Sequence, residues 1–268
     1  MYAELNGLRM SYEDRGKSNP TETLVFLHGL PLDLSIWRYQ LDYFSTDYRC
    51  LAPDLRGFGG TSDLAGHTPP AMLSIETFAD DVVALLDHVG VKHAILVGLS
   101  MGGYIALAIW RRMAMRKRVH GLIFVDTRAA ADSPETKALR KHQAQLIQTS
   151  GVTAYADEMI PRLLAPENIA RCEREVRYMI ERTKPEALVA TIGALGTRKD
   201  MTPWLRRVVV PALAIVGDKD VISPVSDSQL IQREVSYKAQ LVVIPNAGHL
   251  SPLEQPTAFN EAMFKSLK

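Results

Sequence analysis

The sequence predicts an α/β fold: a mostly parallel sheet with helices on both faces and one helical insertion late in the chain. Three observations predict it. Up to residue 128, short continuous apolar runs alternate with helix-period segments, the pattern of strands buried on both faces and joined by crossover helices. Residues 129–206 then carry helical patterns and no convincing strand, and from 207 the alternation resumes. The expected organisation is therefore a core formed by 1–128 and 207–268, with 129–206 inserted after the sixth strand.

Bulk properties set the outer bounds. A chain of 268 residues fits one large α/β domain, or one domain with an inserted subdomain, and 47% apolar residues suffice for a two-sided core. The formal net charge of +1 gives no global field for nucleic acid or anionic lipid. The basic cluster Arg111-Arg112 and Arg116-Lys117-Arg118 falls at a predicted helix end, where cations complement the dipole, and no aromatic residues interleave it. No nucleic-acid partner is expected. Cys50 and Cys172 lie far apart, without disulfide or metal spacing, which suits a reducing, cytoplasmic setting. The first residues carry no basic-then-apolar targeting signal. The uncharged run 94–110 approaches membrane-spanning length, but three glycines and a serine divide it, so it reads as a strand followed by a buried helix.

The elements follow in order. Asn6-Gly7 between two short segments predicts a two-residue hairpin joining 2–5 and 8–14. Leu24-Val25-Phe26-Leu27 is the next strand, ending in His28-Gly29-Leu30-Pro31, where Gly29 permits a tight turn that could aim the Leu30 amide at a ligand. Ile36 to Phe44 reads as a helix and Arg49 to Pro53 as a strand. Asp54 and Arg56 follow that strand end and read as a structural pair bracing a glycine-rich loop, with catalysis as the other reading. Ser74 to Val89 is amphipathic, with Ser74 as N-cap and Gly90 as stop. Ala94-Ile95-Leu96-Val97 is a strand, Tyr104 to Trp110 a helix, and Leu122 to Val125 a strand ending at Asp126-Thr127-Arg128. Helices are predicted over Pro134–Ser150, Val152–Leu164, Pro166–Thr183 and Pro185–Gly196, three of them with proline at or near the start. Met159, Leu163, Tyr178, Met179 and Trp204 read mainly as insertion core, with a face on a substrate cleft as the other reading, and Trp204 is the one taken as a candidate substrate contact. A strand over Ala212–Val216, a helix over Ser226–Val235, a strand over Leu241–Ile244 and a helix over Pro256–Leu267 complete the chain.

Between the predicted strand Ala94-Ile95-Leu96-Val97 and the helix from Tyr104 lies Gly98-Leu99-Ser100-Met101-Gly102-Gly103. A strand, a turn with no room for side chains around one serine, then a helix is the setting of a nucleophile elbow. A plain glycine-rich strand-to-helix turn is the alternative. Leu30, Ser100, Asp220 and His249 all follow ends of predicted strands, which in an open α/β sheet lie on one edge. A serine hydroxyl is a weak nucleophile at neutral pH, so His249 would accept its proton and return it to the leaving group. Asp220 would fix the imidazole tautomer, and its extra reach into the loop favours it over Asp218. Backbone amides of Leu30 and Met101 would bind the developing oxyanion. His28 is expected to make a structural hydrogen bond; His67, His88, His93, His120 and His142 have no comparable setting. No metal cluster, phosphate-binding loop or dinucleotide fingerprint is present, so neither metal nor cofactor is expected.

At these residues the sequence resembles the α/β-hydrolase superfamily over nearly its whole length. His28-Gly29, Asp54-Leu55-Arg56-Gly57-Phe58-Gly59, Gly98-Leu99-Ser100-Met101-Gly102, Gly217-Asp218-Lys219-Asp220 and Gly248-His249 carry the resemblance. It implies an eight-stranded sheet with a helical lid between the sixth and seventh strands, a position that 129–206 matches. Ser100 stands where haloalkane dehalogenases and epoxide hydrolases carry aspartate. The nearest likeness is to small bacterial carboxylesterases and 3-oxoadipate enol-lactonases. Leu30-Pro31 also resembles the turn of cofactor-free haloperoxidases, esterases with perhydrolase activity that usually carry an aromatic residue at Leu30. The resemblance implies a serine hydrolase of small esters or lactones, without cofactor, nucleic-acid or membrane partner, and leaves the oligomeric state open. An anionic lactone would need a cation at the mouth, for which Arg128 is the candidate. A hydrolase scaffold used as a small-molecule receptor is the non-enzymatic alternative.

Overall fold

A computed structural model describes residues 1–17, 21–63, 73–112 and 115–268. β1 (Tyr2–Leu5) and β2 (Leu8–Gly16) form the expected antiparallel hairpin, with Asn6 and Gly7 at φ of 49° and 75°. β3 (Thr23–Leu27), β4 (Arg49–Pro53), β6 (Ala94–Leu99), β7 (Val119–Val125), β8 (Ala212–Gly217) and β9 (Ala239–Ile244) extend it into one sheet. The strand order is β1-β2-β4-β3-β6-β7-β8-β9, and a two-residue β5 (Ser62–Asp63) pairs beside this path with β2. All pairings from β4 to β9 are parallel, whereas β2 meets β1 and β4 antiparallel. Every residue of β3, β6 and β8 is buried, which is why these strands read as unbroken apolar runs.

Helices cover both faces. α1 (Arg38–Phe44) packs on α10 (Pro256–Leu267), and α2 (Ile75–His88) packs on α3 (Met101–Arg111). The predicted helix from Ile36 starts instead as a 3-10 turn over Leu34–Trp37, because the Asp33 side chain accepts from the Ser35 amide and starts the turn early. Ser74 caps α2 by accepting from the Thr77 amide, and Gly90 follows at φ 70°. α8 (Val225–Glu234) packs on β8 and β9.

Between β7 and β8 lie α4 (Pro134–Leu163), a 3-10 turn at Pro166–Asn168, α5 (Ile169–Glu181), α6 (Pro185–Gly196) and α7 (Thr202–Leu205). α4 is broken at Gly151 (φ 84°, ψ 177°), where the sequence divides two helices. It packs on α5 and α6. A buried ion-pair cluster ties this segment together: Asp132 takes both Arg140 and Arg198, and the Arg198 guanidinium lies 4.3 Å over the Tyr104 ring of α3. Among the described residues no helix is long and apolar enough to cross a membrane.

The sheet places the site. β4 and β6 flank β3 on opposite sides, so the chain reverses its direction of winding there. The carboxyl ends of β3 and β6 are neighbours at that point, with Leu27 opposite Gly98. Loops leaving such a switch point open a crevice at the sheet edge.

Candidate active site

Ser100 joins β6 to α3 at φ 51° and ψ −111°, a backbone conformation rarely held by a non-glycine residue. The close approach of strand and helix sustains it. A Cβ on Gly98 would lie 2.4 Å from the Gly102 backbone, and one on Gly102 would lie 2.1 Å from the Leu27 carbonyl oxygen. Thr127, just beyond β7, donates its hydroxyl to the Ser100 carbonyl at 2.7 Å and braces the turn from the far side.

The Ser100 hydroxyl lies 2.8 Å from His249 Nε2, and His249 Nδ1 lies 2.8 Å from Asp220 Oδ2. An ionised carboxylate can only accept, so Nδ1 carries the proton and Nε2 is left to accept from the hydroxyl. The Ile222 and Ser223 amides each donate to Asp220 Oδ1 at 2.8 Å and hold that carboxylate in place. Asp218 is turned away and accepts instead from the Ala247 amide at 3.2 Å. The His249 amide donates to the Leu163 carbonyl at 2.9 Å, which fastens the histidine loop to the end of α4.

Leu30 follows β3 beside Ser100, and its amide has no hydrogen-bond partner among the described residues. Met101 is the first residue of α3, where amide groups lack intrahelical acceptors and the helix dipole favours negative charge. The arrangement joins a hydroxyl, an imidazole positioned to take its proton, and amides suited to a developing oxyanion. Such a set can perform nucleophilic acyl transfer. Among the described residues no cluster of three or more His, Cys, Asp or Glu is placed to hold a metal ion.

A cavity of about 270 Å³ opens above Ser100 and His249, with Leu30 on the sheet side and residues of α4 on the opposite wall. Met159, Leu163 and Arg128 reach it. Trp204 does not: its half-buried ring stacks under the Arg207 guanidinium at 4.6 Å, with that of Arg111 at 5.8 Å. Cation–π contacts on the surface of α7 hold it outside the lining of this cavity. Tyr178 is exposed and Met179 is core. Asp54 and Arg56 brace the loop after β4, yet not as a pair. Asp54 accepts from the Leu34 and Gly60 amides, while Arg56 forms a two-pronged contact with Asp81 at 2.8 Å. His28 accepts the Leu55 amide at Nε2 and donates Nδ1–H to the Gly29 carbonyl, and burial lowers its pKa. His67 lies outside the described residues.

Two buried carboxylates were given no role from the sequence. Asp126, at the end of β7 with φ 45°, accepts from the Gly217 amide and from the Ser251 amide and hydroxyl; burial and then neighbouring Asp220 raise its pKa. Glu254, in α9 (Ser251–Glu254), accepts from amides on both sides of His249. A strand-end aspartate flanked by a threonine was the one available hint of the first; nothing in the spacing marked the second.

Comparison with known proteins bears on the family. Residues 24–262 match the profile of the Alpha/beta hydrolase family. The chain is 30% identical to 3-oxoadipate enol-lactonase 2 of Acinetobacter baylyi, over 91% of this chain and 88% of that protein. Among solved structures it is similar to a malate-bound thermophilic esterase from Thermogutta terrifontis, with a TM-score of 0.88 and 36% identity over 97% of this chain and 93% of that one. It is also similar to the enol-lactonase from Burkholderia xenovorans, with a TM-score of 0.89 and 28% identity over 100% and 99% of the two chains. Profile, relative and fold agree across nearly the whole length, and the chain belongs to the alpha/beta hydrolase family, as a hydrolase of the carboxylesterase and lactonase type.

Proposed function

We propose that this chain cleaves small carboxylic esters or lactones through an acyl-enzyme on Ser100. Ser100 Oγ attacks the carbonyl carbon while His249 Nε2 takes its proton. The carbonyl oxygen becomes an oxyanion held by the Leu30 and Met101 amides, a setting in which one donor is worth about 3 kcal/mol in the transition state. Collapse expels the alcohol, which receives the proton from His249. Water then repeats the sequence on the acyl-enzyme, and the acid departs. Asp220 stabilises the imidazolium that forms in each half. Residues 129–206 serve as a lid over a core made of 1–128 and 207–268.

The observation that carries this reading is the unbroken chain from Ser100 through His249 to Asp220, with 2.8 Å at both links. Ser100→Ala should lower turnover of a short nitrophenyl ester by about 10⁴-fold or more in a protein with an unchanged melting curve. Retained turnover would remove Ser100 from the mechanism. Rapid labelling of the wild type by a fluorophosphonate, absent in Ser100→Ala, separates a hydrolase from a receptor built on the same scaffold.

A further inference from the structure

Three arginines reach the cavity above Ser100: Arg128, Arg140 and Arg162. Two have carboxylate partners where they stand. Arg128 Nε lies 3.3 Å from Asp227, and Arg140 is bonded to the buried Asp132. Arg162 has neither an ion pair nor a hydrogen bond among the described residues. The carboxylate one turn before it, Glu158, is occupied with His142 at 2.9 Å. Asp157 is paired with Arg177. The cavity wall therefore holds one guanidinium, that of Arg162, with no carboxylate partner among the described residues.

Tyr155 stands on the same face of α4, two turns before Arg162, and also lines the cavity. It is fully buried and its hydroxyl has no hydrogen-bond partner. Burial raises its pKa, opposed by the nearby Arg140 and Arg162 guanidinium groups, so it stays a neutral O–H donor. Leaving such a group unsatisfied is costly, and buried polar side chains in native proteins are nearly always paired. An unpaired donor and an unpaired cation on one wall both call for the same complement, an anionic oxygen acceptor.

We propose that Tyr155 and Arg162 form a subsite for a carboxylate on the acyl part of the substrate, so that the preferred ester is the half-ester of a short dicarboxylic acid. This rests on the ester-hydrolase reading of Ser100. A carboxylate offers two oxygens, enough to meet the guanidinium and the phenol together, whereas an alkyl chain would leave both unpaired. The acyl part is the one concerned because it stays bound through both halves of the reaction, while the alcohol must leave and water must enter. The cation supplied for an anionic substrate is then Arg162, and Arg128 is already engaged by Asp227.

The test compares monoethyl glutarate with ethyl pentanoate, two acyl chains of equal length that differ in the terminal carboxylate, by acid release at constant pH. The wild type should favour the half-ester at least tenfold in kcat/KM, mainly through KM. Arg162→Met should cut that ratio at least tenfold, Arg162→Lys should restore part of it, and Tyr155→Phe should cut it severalfold. Because the ratio is taken on one protein sample, partial misfolding cancels. A wild-type preference for ethyl pentanoate, or the same ratio in Arg162→Met as in wild type, would overturn the proposal. Calorimetric binding of glutarate and pentanoate to Ser100→Ala reads the subsite without turnover: glutarate should bind at least tenfold tighter, and equal affinities would overturn it. Loss of all ester turnover with the glutarate preference intact would sink the hydrolase reading and leave the subsite standing.

Discussion

Glu254→Gln is the substitution whose cost can be worked most directly from the structure. The Glu254 carboxylate is 1% exposed. Its Oε1 accepts from the Gly248 amide at 2.8 Å and the Leu250 amide at 3.2 Å, on either side of His249. Its Oε2 accepts from the Ala165 amide and from Asn168 Nδ2, both at 2.8 Å, just beyond α4. Burial raises its pKa, and these four donors oppose that rise only in part. One carboxylate thus joins the histidine loop to the helical segment above the cavity. In glutamine one acceptor becomes an NH₂ donor facing two N–H groups, which lose their partner. At about 1.5–3 kcal/mol for each bond to a charged group, the loss comes to about 3–6 kcal/mol. Urea unfolding should show that difference, and a shift of the histidine loop should lower kcat on a short ester by about 10²-fold. Unfolding within about 0.5 kcal/mol of wild type, the range of an inconsequential surface change, with kcat intact would refute the reasoning.

Three further outcomes follow from the same contacts. Asp220→Asn should keep the fold and lower kcat by about 10⁴-fold, because an amide can hold the imidazole in the wrong tautomer; steady-state kinetics with circular dichroism check it, and a tenfold loss or less would count against Asp220 as the orienting acid. Gly102→Ala places a Cβ 2.1 Å from the Leu27 carbonyl oxygen, so the elbow must open. A cost of about 3 kcal/mol corresponds to a fall of about 6–12 °C in Tm for a chain of this size, and an unchanged melting curve would show the elbow to be looser than described. His28 is held neutral by burial, with its pKa lowered from the usual value. In the unfolded chain it protonates near pH 6.5, so the stability it contributes is full above that pH and drains away as pH falls below it. The Tm of the wild type should therefore fall more steeply from pH 7 to 5 than that of His28→Gln, and equal slopes would argue that His28 titrates normally.

Strands and their order of use were legible because a sheet buried on both faces demands unbroken apolar runs, and β3, β6 and β8 supply them. Ser100, Asp220 and His249 could be chosen from sequence because each follows a strand end, and parallel strands bring such ends to one edge. The break at Gly151 was legible as well, since positive φ is cheap for glycine. Four-residue helices such as α7 and α9 were not, being too short to show a period. Trp204 could not be placed from sequence because an aromatic residue suits a cleft or a cation stack equally well, and only neighbours distant in sequence, such as Arg111, distinguish them. Glu254 and the unpaired Tyr155 hydroxyl escaped notice for a related reason. Their meaning lies in which donors and acceptors surround them, and those come from segments up to 89 residues away.

The central question is whether an acyl group passes through Ser100. Mixing enzyme with an excess of a slowly deacylating nitrophenyl ester, quenching in acid and weighing the intact protein should show one added acyl group. Peptide mapping should place it on Ser100, and Ser100→Ala should show neither adduct nor turnover. Full turnover without any adduct in Ser100→Ala, or an acyl group mapped to another residue, would contradict the mechanism.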